Sequence, residues 1–66
     1  MNLILNGNTR AYPPLAALSD LLQHLQLDPT RVAIEHNGSI VPQASFAATS
    51  LNDGDRLEIV QFVGGG

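Results

Sequence analysis

The chain has 66 residues, of which 44% are hydrophobic and 14% are charged, and its net charge is −3. This length allows a single domain close to the lower size limit for folding around its own core. The absence of cysteine excludes a disulfide-rich secreted fold and a thiolate metal site, and the few scattered arginines argue against nucleic-acid binding. No apolar run approaches the length of a membrane span, so we expect a cytoplasmic protein without a membrane partner.

Apolar periodicity and turn signals predict a short series of elements. The first elements in chain order are strands at residues 2–5 and 9–12 and a helix whose apolar periodicity covers 15–26 and whose central part is 18–25. Strands at 31–36 and 40–41 follow, and the last strand covers 56–62 or 56–63. Asn-Gly pairs at 6–7 and 37–38 mark two hairpins, because type I′ turns need positive φ at both central residues. Residues 43–50 are expected to be irregular, with one helical turn around Phe46, and Leu51 is expected to plug the core.

The order of these elements predicts an α+β fold. One amphipathic helix has one apolar stripe, which needs one sheet face to cover it. The first and last strands carry large apolar residues on both faces, so we expect them to lie parallel in the middle of the sheet. This arrangement is the ubiquitin-like β-grasp, a mixed sheet of four to five strands packed on one helix. We expect the domain to cover residues 1–63, with a flexible glycine tail at residues 64–66.

The side of the sheet that faces away from the helix is a candidate docking surface. Strand alternation places Ile4, Val60 and Phe62 on that side, and we expect them to lie near one another at the root of the tail. A cluster of exposed apolar side chains in this position would suit a partner protein. The alternative is an ordinary half-exposed strand.

The glycine tail itself is the second candidate. Glycines without Cβ atoms let a carboxylate thread a channel that is too narrow for side chains, whereas many chain ends are simply frayed. Because the chain has neither lysine nor cysteine, the Gly66 carboxylate is the evident place for group-carrier chemistry.

Catalysis by the chain itself is not expected. Its serines lie in no nucleophile-elbow sequence, and His24 and His36 have no metal-ligand spacing. Asp53 and Asp55 flank Gly54 in a pattern typical of a tight turn rather than of a calcium loop. We therefore expect no metal site.

Several motifs together resemble the ThiS family of thiamine-biosynthesis sulfur carriers. They are Asn37-Gly38-x-Ile40-Val41-Pro42, then Leu51-x-Asp53-Gly54-Asp55-x-Leu57-Glu58-Ile59-Val60, and finally Gly65-Gly66, with Asn6-Gly7 and Leu21-Leu22-x-x-Leu25 in support. The resemblance covers essentially the whole chain. Gln43, Phe46 and Ala17 depart from residues common in the family, namely Arg, Trp and a Ser or Thr helix cap. The departure at Gln43 puts one partner contact in doubt.

This resemblance implies a function for the tail. A dedicated adenylating enzyme would use MgATP to convert the Gly66 carboxylate to an acyl adenylate, with Gly64 and Gly65 threading the partner's active site. Sulfur from a persulfide, supplied through a cysteine desulfurase, would replace AMP and leave a thiocarboxylate. Thiazole synthase would then use that sulfur to build the thiazole ring. The chain would bind no cofactor and would be a substrate of its partners rather than an enzyme.

Three other functions stay open on the sequence. The molybdopterin-synthase small subunit is a sulfur carrier with the same tail chemistry and a different acceptor. A ubiquitin-like modifier would join Gly66 to a lysine of another protein. A plain β-grasp interaction module would have an inert tail.

Overall fold

The computed structural model describes residues 1–63, which form one five-stranded sheet, one α-helix and two short 3₁₀ helices. The elements are β1 (Asn2–Leu5), β2 (Asn8–Ala11), α1 (Leu18–His24), a 3₁₀ helix (Pro29–Arg31), β3 (Val32–His36), β4 (Ser39–Val41), a second 3₁₀ helix (Gln43–Ala48) and β5 (Arg56–Gln61). The strand order is β2-β1-β5-β3-β4. None of the helices within residues 1–63 is long and apolar enough to cross a membrane.

The parallel pairing of the first and last strands is confirmed. Ile4 lies opposite Arg56 and Leu5 opposite Leu57 in the parallel pair, whereas β1–β2, β3–β4 and β3–β5 are antiparallel. The result is a mixed sheet with β5 at its centre, which is the predicted β-grasp arrangement.

Both Asn-Gly hairpins are also confirmed. Asn6 and Asn37 have φ angles of 48° and 49°, and the glycines after them have φ angles of 82° and 88°. Positive φ at both central positions gives the twist that joins adjacent antiparallel strands without splaying them.

One side of the sheet and the apolar stripe of α1 enclose the core. The buried apolar residues are Leu3, Tyr12, Leu18, Leu21, Leu22, Val32, Ile34, Phe46, Leu51, Leu57 and Ile59. Leu51 plugs the core as predicted, and the second 3₁₀ helix buries Phe46. The helical turn expected around Phe46 is thus longer than predicted and runs over Gln43–Ala48.

The ends of several elements differ from the prediction for local reasons. The helix stops at His24 rather than at residue 25 or 26, because Gln26 adopts a left-handed φ of 59° and the Leu27 amide donates back to the Leu22 carbonyl at 2.9 Å. Arg31 lies in the first 3₁₀ helix instead of in β3, because Asp28 caps that turn. The last strand ends at Gln61, one or two residues early.

The start of α1 compensates for its poor capping residue. Ala17 has no side-chain acceptor, yet the Asp20 carboxylate accepts a hydrogen bond from the Ala17 amide at 2.9 Å, which is half of a capping box. The Leu18 amide, the first of the helix, donates to the Thr49 carbonyl at 2.9 Å. A Ser or Thr cap would bond to a later amide and leave this one to solvent, so the segment before β5 supplies a partner that the cap would not.

Asp55 is a buried carboxylate at the start of β5, with only 8% of its surface exposed. It accepts hydrogen bonds from the His36 ring at 2.8 Å, from the Asn52 amide at 2.8 Å and from the Asn37 side chain at 3.2 Å. A carboxylate is an acceptor only, so His36 Nε2 carries the proton in this contact. Three donors, from the end of β3, the turn that follows it and the turn before β5, therefore converge on one side chain.

The hydrogen bonds determine the pKa of Asp55. Burial alone would raise this pKa, but the hydrogen bonds from His36, Asn52 and Asn37 outweigh burial and lower the pKa below its ordinary value of 3.8. A carboxyl whose pKa is lowered in the folded state stabilises the fold at pH values above the pKa of the unfolded state. That contribution is lost as the pH falls through the lower folded-state pKa.

We expect Asp55→Asn to lower the free energy of unfolding at pH 7 by about 2 kcal/mol, because buried hydrogen bonds to a charged group are lost or weakened. The difference between wild type and variant should shrink as the pH falls from about 4, where Asp55 of the unfolded chain begins to take up a proton, through the lower pKa of Asp55 in the folded state. Urea unfolding at a series of pH values measures this. Parallel stability profiles of the two proteins across the acid range would show that Asp55 is not the linked group.

Candidate functional site

The end of β5 is held on its β3 side by one backbone contact. The Phe62 amide donates to the Arg31 carbonyl at 2.7 Å, which extends the pairing one residue beyond β5. Val63, the last described residue, is 94% exposed. The predicted tail residues Gly64, Gly65 and Gly66 lie outside the described residues, so their predicted roles stay predictions.

The short turn before β3 positions the Arg31 carbonyl. Asp28 accepts hydrogen bonds from the Thr30 hydroxyl at 2.7 Å and from the Thr30 amide at 2.9 Å, and the Arg31 amide donates to the Asp28 carbonyl at 3.0 Å. The Thr30 hydroxyl, the Thr30 amide and the nearby Arg31 lower the pKa of Asp28. The turn that supports the end of β5 is thus itself capped.

On the β1 side, a side chain takes over where the strand stops. The Ile59 amide donates to Asn6 Oδ1 at 2.8 Å, and Asn6 Nδ2 donates to the Ile59 carbonyl at 3.2 Å. The Asn6 amide thus bonds to β5 as the next residue of a strand would. Asn6 was predicted as a turn residue, and its support of β5 was missed because turn signals do not report long-range contacts.

The structure separates the three predicted docking residues into two places. Val60 and Phe62 lie on the open side of the sheet, 59% and 57% exposed, as alternation predicts. Ile4 faces the same side but is half-buried and lies opposite Arg56. It is therefore four residues from Val60 along β5, or about 13 Å at the rise of a strand. The prediction that Ile4 lies near Val60 and Phe62 is wrong, because the parallel register pairs it with the beginning of β5.

A different apolar residue accompanies Val60. Ile40 on β4 is 81% exposed and lies with Val60 around a shallow depression of about 130 Å³, whose lining includes Ala33, Glu35 and Glu58. Sequence reasoning missed this role of Ile40. The signal was present, because a two-residue turn at 37–38 makes Ile40 the partner of Glu35 and so places it on the open side.

The described residues present one buried polar contact and an exposed apolar surface. No group of three His, Asp or Glu side chains among the described residues lies close enough to hold a metal ion. His36 and Asp55 form a contact that joins the end of β3 to the start of β5. The open face and the end of β5 together present an apolar surface beside the exit of the chain.

Comparisons with known proteins agree on one family. The model of the ThiS family matches residues 3–66. The chain is 41% identical to the sulfur carrier protein ThiS of Bacillus subtilis over 49 residues, which cover 74% of each chain. It is also similar, with 33% identity and a TM-score of 0.84 over the full length of both chains, to the crystal structure of a thiamine biosynthesis protein (ThiS) from Geobacter metallireducens.

A further relative is much longer than this chain. The chain is 46% identical over all 66 residues to a thiazole synthase of Paramagnetospirillum magneticum. It spans only 20% of the length of that relative.

We expect Asn6→Gly to lower the free energy of unfolding by about 1 to 2 kcal/mol, because two hydrogen bonds to the Ile59 backbone are lost while glycine tolerates the positive φ. The amide of Ile59 should exchange with solvent faster, and the amide of Phe62, held by Arg31, should change less. Hydrogen exchange followed by NMR measures both. The matched control is Asn8→Gly, which makes the same replacement at an exposed strand position. Equal effects of the two variants would contradict a special role for Asn6.

Proposed function

The chain belongs to the ThiS family, and we propose that it is a sulfur carrier for thiamine biosynthesis that works through the carboxylate of Gly66. The observation that favours this proposal most directly is that hydrogen bonds on both sides hold the end of β5 in place. On the β1 side, the Asn6 side chain forms hydrogen bonds to the central strand as far as Ile59. On the β3 side, the Arg31 carbonyl accepts a hydrogen bond from the chain as far along as Phe62. The chain beyond Val63 therefore leaves from the best-supported strand of the sheet.

The proposed chemistry needs a leaving group that a carboxylate lacks. In the first step, a Gly66 oxygen attacks the α-phosphorus of ATP in an adenylating partner, and pyrophosphate leaves. The terminal sulfur of a persulfide, generated through a cysteine desulfurase, then attacks the acyl carbon, and AMP leaves. A second thiol then attacks the partner's cysteine sulfur in the resulting acyl disulfide, so that a disulfide forms between these two sulfurs and the thiocarboxylate is released on Gly66. The nucleotide, the magnesium and the reactive cysteines belong to the partners, and we place the reaction in the cytoplasm, where ATP is available.

The contribution of this chain is an accessible acid and a surface that orients it. Without cysteine or lysine, the chain cannot hold sulfur on a thiol of its own or accept its own acyl group on an ε-amine. Positioning of a reactant by a docked partner supplies much of the advantage of such a reaction. We assign docking to Val60 and Phe62, which flank the exit of the chain, and not to Ile4.

The names of the relatives favour thiazole over molybdopterin as the sulfur acceptor. One relative is named sulfur carrier protein ThiS, and a solved relative is a thiamine biosynthesis protein. The similarity to a stretch of a protein named thiazole synthase supports a functional link between such a segment and that enzyme. We therefore propose thiazole synthase as the protein that consumes the thiocarboxylate.

The test is the intact mass of the protein after incubation with the adenylating enzyme of the same organism, MgATP, a cysteine desulfurase and cysteine. We expect the mass increase that corresponds to sulfur replacing one oxygen, located to Gly66 by fragmentation. Alkylation of the product distinguishes a thiocarboxylate from oxidation of Met1, the one methionine in the chain. Attachment to lysines of other proteins would assign the chain as a modifier, and an unchanged Gly66 carboxylate would overturn both assignments.

We expect deletion of Gly66 to abolish sulfur incorporation and to leave the unfolding midpoint unchanged. The new terminal carboxylate falls short by one residue, or about 3.5 Å, which is more than a reacting pair tolerates. The control is Gly64→Ala, which keeps the length of the tail but adds a side chain, and we expect it to incorporate sulfur more slowly. A truncated chain that accepts sulfur as well as wild type would contradict the role of Gly66, and one that unfolds would make the tail structural.

A further inference from the structure

The open side of the sheet carries an apolar groove next to the exit of the chain. Ile40 and Val60 are 81% and 59% exposed and stand on either side of a depression of about 130 Å³ that Ala33 also lines. The small side chain of Ala33, directly opposite Val60 in the β3–β5 pair, leaves the space between the larger ones open.

Two carboxylates lie at the same groove. Glu35 and Glu58 are direct partners in the antiparallel β3–β5 pair, both are exposed, and Ile40 is the β4 partner of Glu35. Like charges directly opposite each other destabilise a sheet. No ion pair within 4 Å joins either glutamate to a cation in the part of the chain that the structure describes. Neither carboxylate is therefore neutralised by a direct ion pair with a described residue.

We propose that this groove binds an arginine side chain that a partner protein presents. The aliphatic stem of the arginine lies between Ile40 and Val60, and its guanidinium lies between the carboxylates of Glu35 and Glu58. Opposed side chains in an antiparallel pair have Cβ atoms about 5 Å apart, so one planar guanidinium with several donors reaches both carboxylates. Lysine offers a point charge without that fork and fits two separate carboxylates less well.

The arginine would belong to the adenylating enzyme, the first partner to receive the tail, and this identification rests on the proposed function. Glu58 lies eight residues before Gly66, and an extended chain of eight residues spans at most about 29 Å. The guanidinium of the partner's arginine and the group that reacts with Gly66 should thus lie within about 29 Å of each other. The groove would fix the chain on the partner while the tail enters the active site.

The first test is an NMR titration of the full chain with a blocked Gly-Arg-Gly peptide and with its Gly-citrulline-Gly counterpart, which is neutral and nearly isosteric. We expect the arginine peptide to shift the amide signals of Ala33, Glu35, Ile40, Glu58 and Val60, and the citrulline peptide to shift them far less. The double variant Glu35→Gln/Glu58→Gln should lose the response. Equal shifts with both peptides, shifts elsewhere on the surface, or no shifts would overturn the proposal.

A second measurement uses the free protein. Glu58→Gln should raise the thermal midpoint at low salt, and the gain should decline at high salt, because the repulsion it removes is screened. A structural role for Glu58 predicts a lower midpoint instead. A more stable free protein together with a weaker response to the arginine peptide is expected only if Glu35 and Glu58 repel each other in the free protein and bind a cation in the complex.

A second copy of this chain is the competing source of the arginine, because Arg56 is exposed on the same open face of the sheet and a second copy would carry it too. Sedimentation equilibrium of wild type and Arg56→Gln decides this. We expect both to be monomers at the concentrations of the titration. A wild-type dimer that is lost in Arg56→Gln would assign the groove to self-association and overturn the proposal.

The adenylation assay separates failure of the groove from failure of the carrier function. We expect Glu35→Gln/Glu58→Gln to raise the KM for adenylation about tenfold with kcat unchanged, because the arginine contact holds the substrate protein equally before and during the reaction. An unchanged KM would overturn the assignment of the arginine to the adenylating enzyme. If wild type is not adenylated at all, the proposed function fails, and the peptide titration still decides whether the groove binds arginine.

Discussion

The buried carboxylate of Asp55 is the interaction on which the placement of β5 depends. Its side chain accepts hydrogen bonds from His36 at the end of β3 and from Asn37 in the following turn, and its main-chain carbonyl accepts one from the Ile4 amide at 2.9 Å. One residue thus ties the start of the central strand to both neighbouring strands. Because β5 bonds to β1 on one side and β3 on the other, an error at its start would shift every later pair.

The two hairpin turns do more than reverse the chain. Asn37 Oδ1 accepts from the Arg56 amide at 2.8 Å, and Asn6 binds both backbone groups of Ile59. Each asparagine occupies a left-handed turn position that few residue types tolerate, and each also uses its amide to hold β5. The same residue type therefore satisfies a local and a long-range requirement, which couples formation of the hairpins to docking of the last strand.

Most of the fold was predictable from the sequence, whereas part of the site was not. Alternation and turn chemistry are local, so the hairpins, the inward faces and the exposure of Val60 follow from residue order. The parallel partner of Ile4 and the pairing of Glu35 with Glu58 depend on register between strands that are distant in sequence, and a shift of two residues would keep every face correct. The error in placing Ile4 beside Val60 arose there, because face and position along the strand are separate quantities.

The exit of the chain from the middle of the sheet gives the glycine tail a defined origin. An edge strand would be held on one side only, whereas β5 has partners on both sides until Ile59 and on one side until Phe62. Residues as far as Phe62 therefore keep a fixed position relative to the core. A partner that holds the open face at Val60 then limits where Gly66 reaches, since the intervening residues set the maximum span. If the groove binds a partner as proposed, a substitution in the groove would alter how that partner positions the tail without any change in the tail itself.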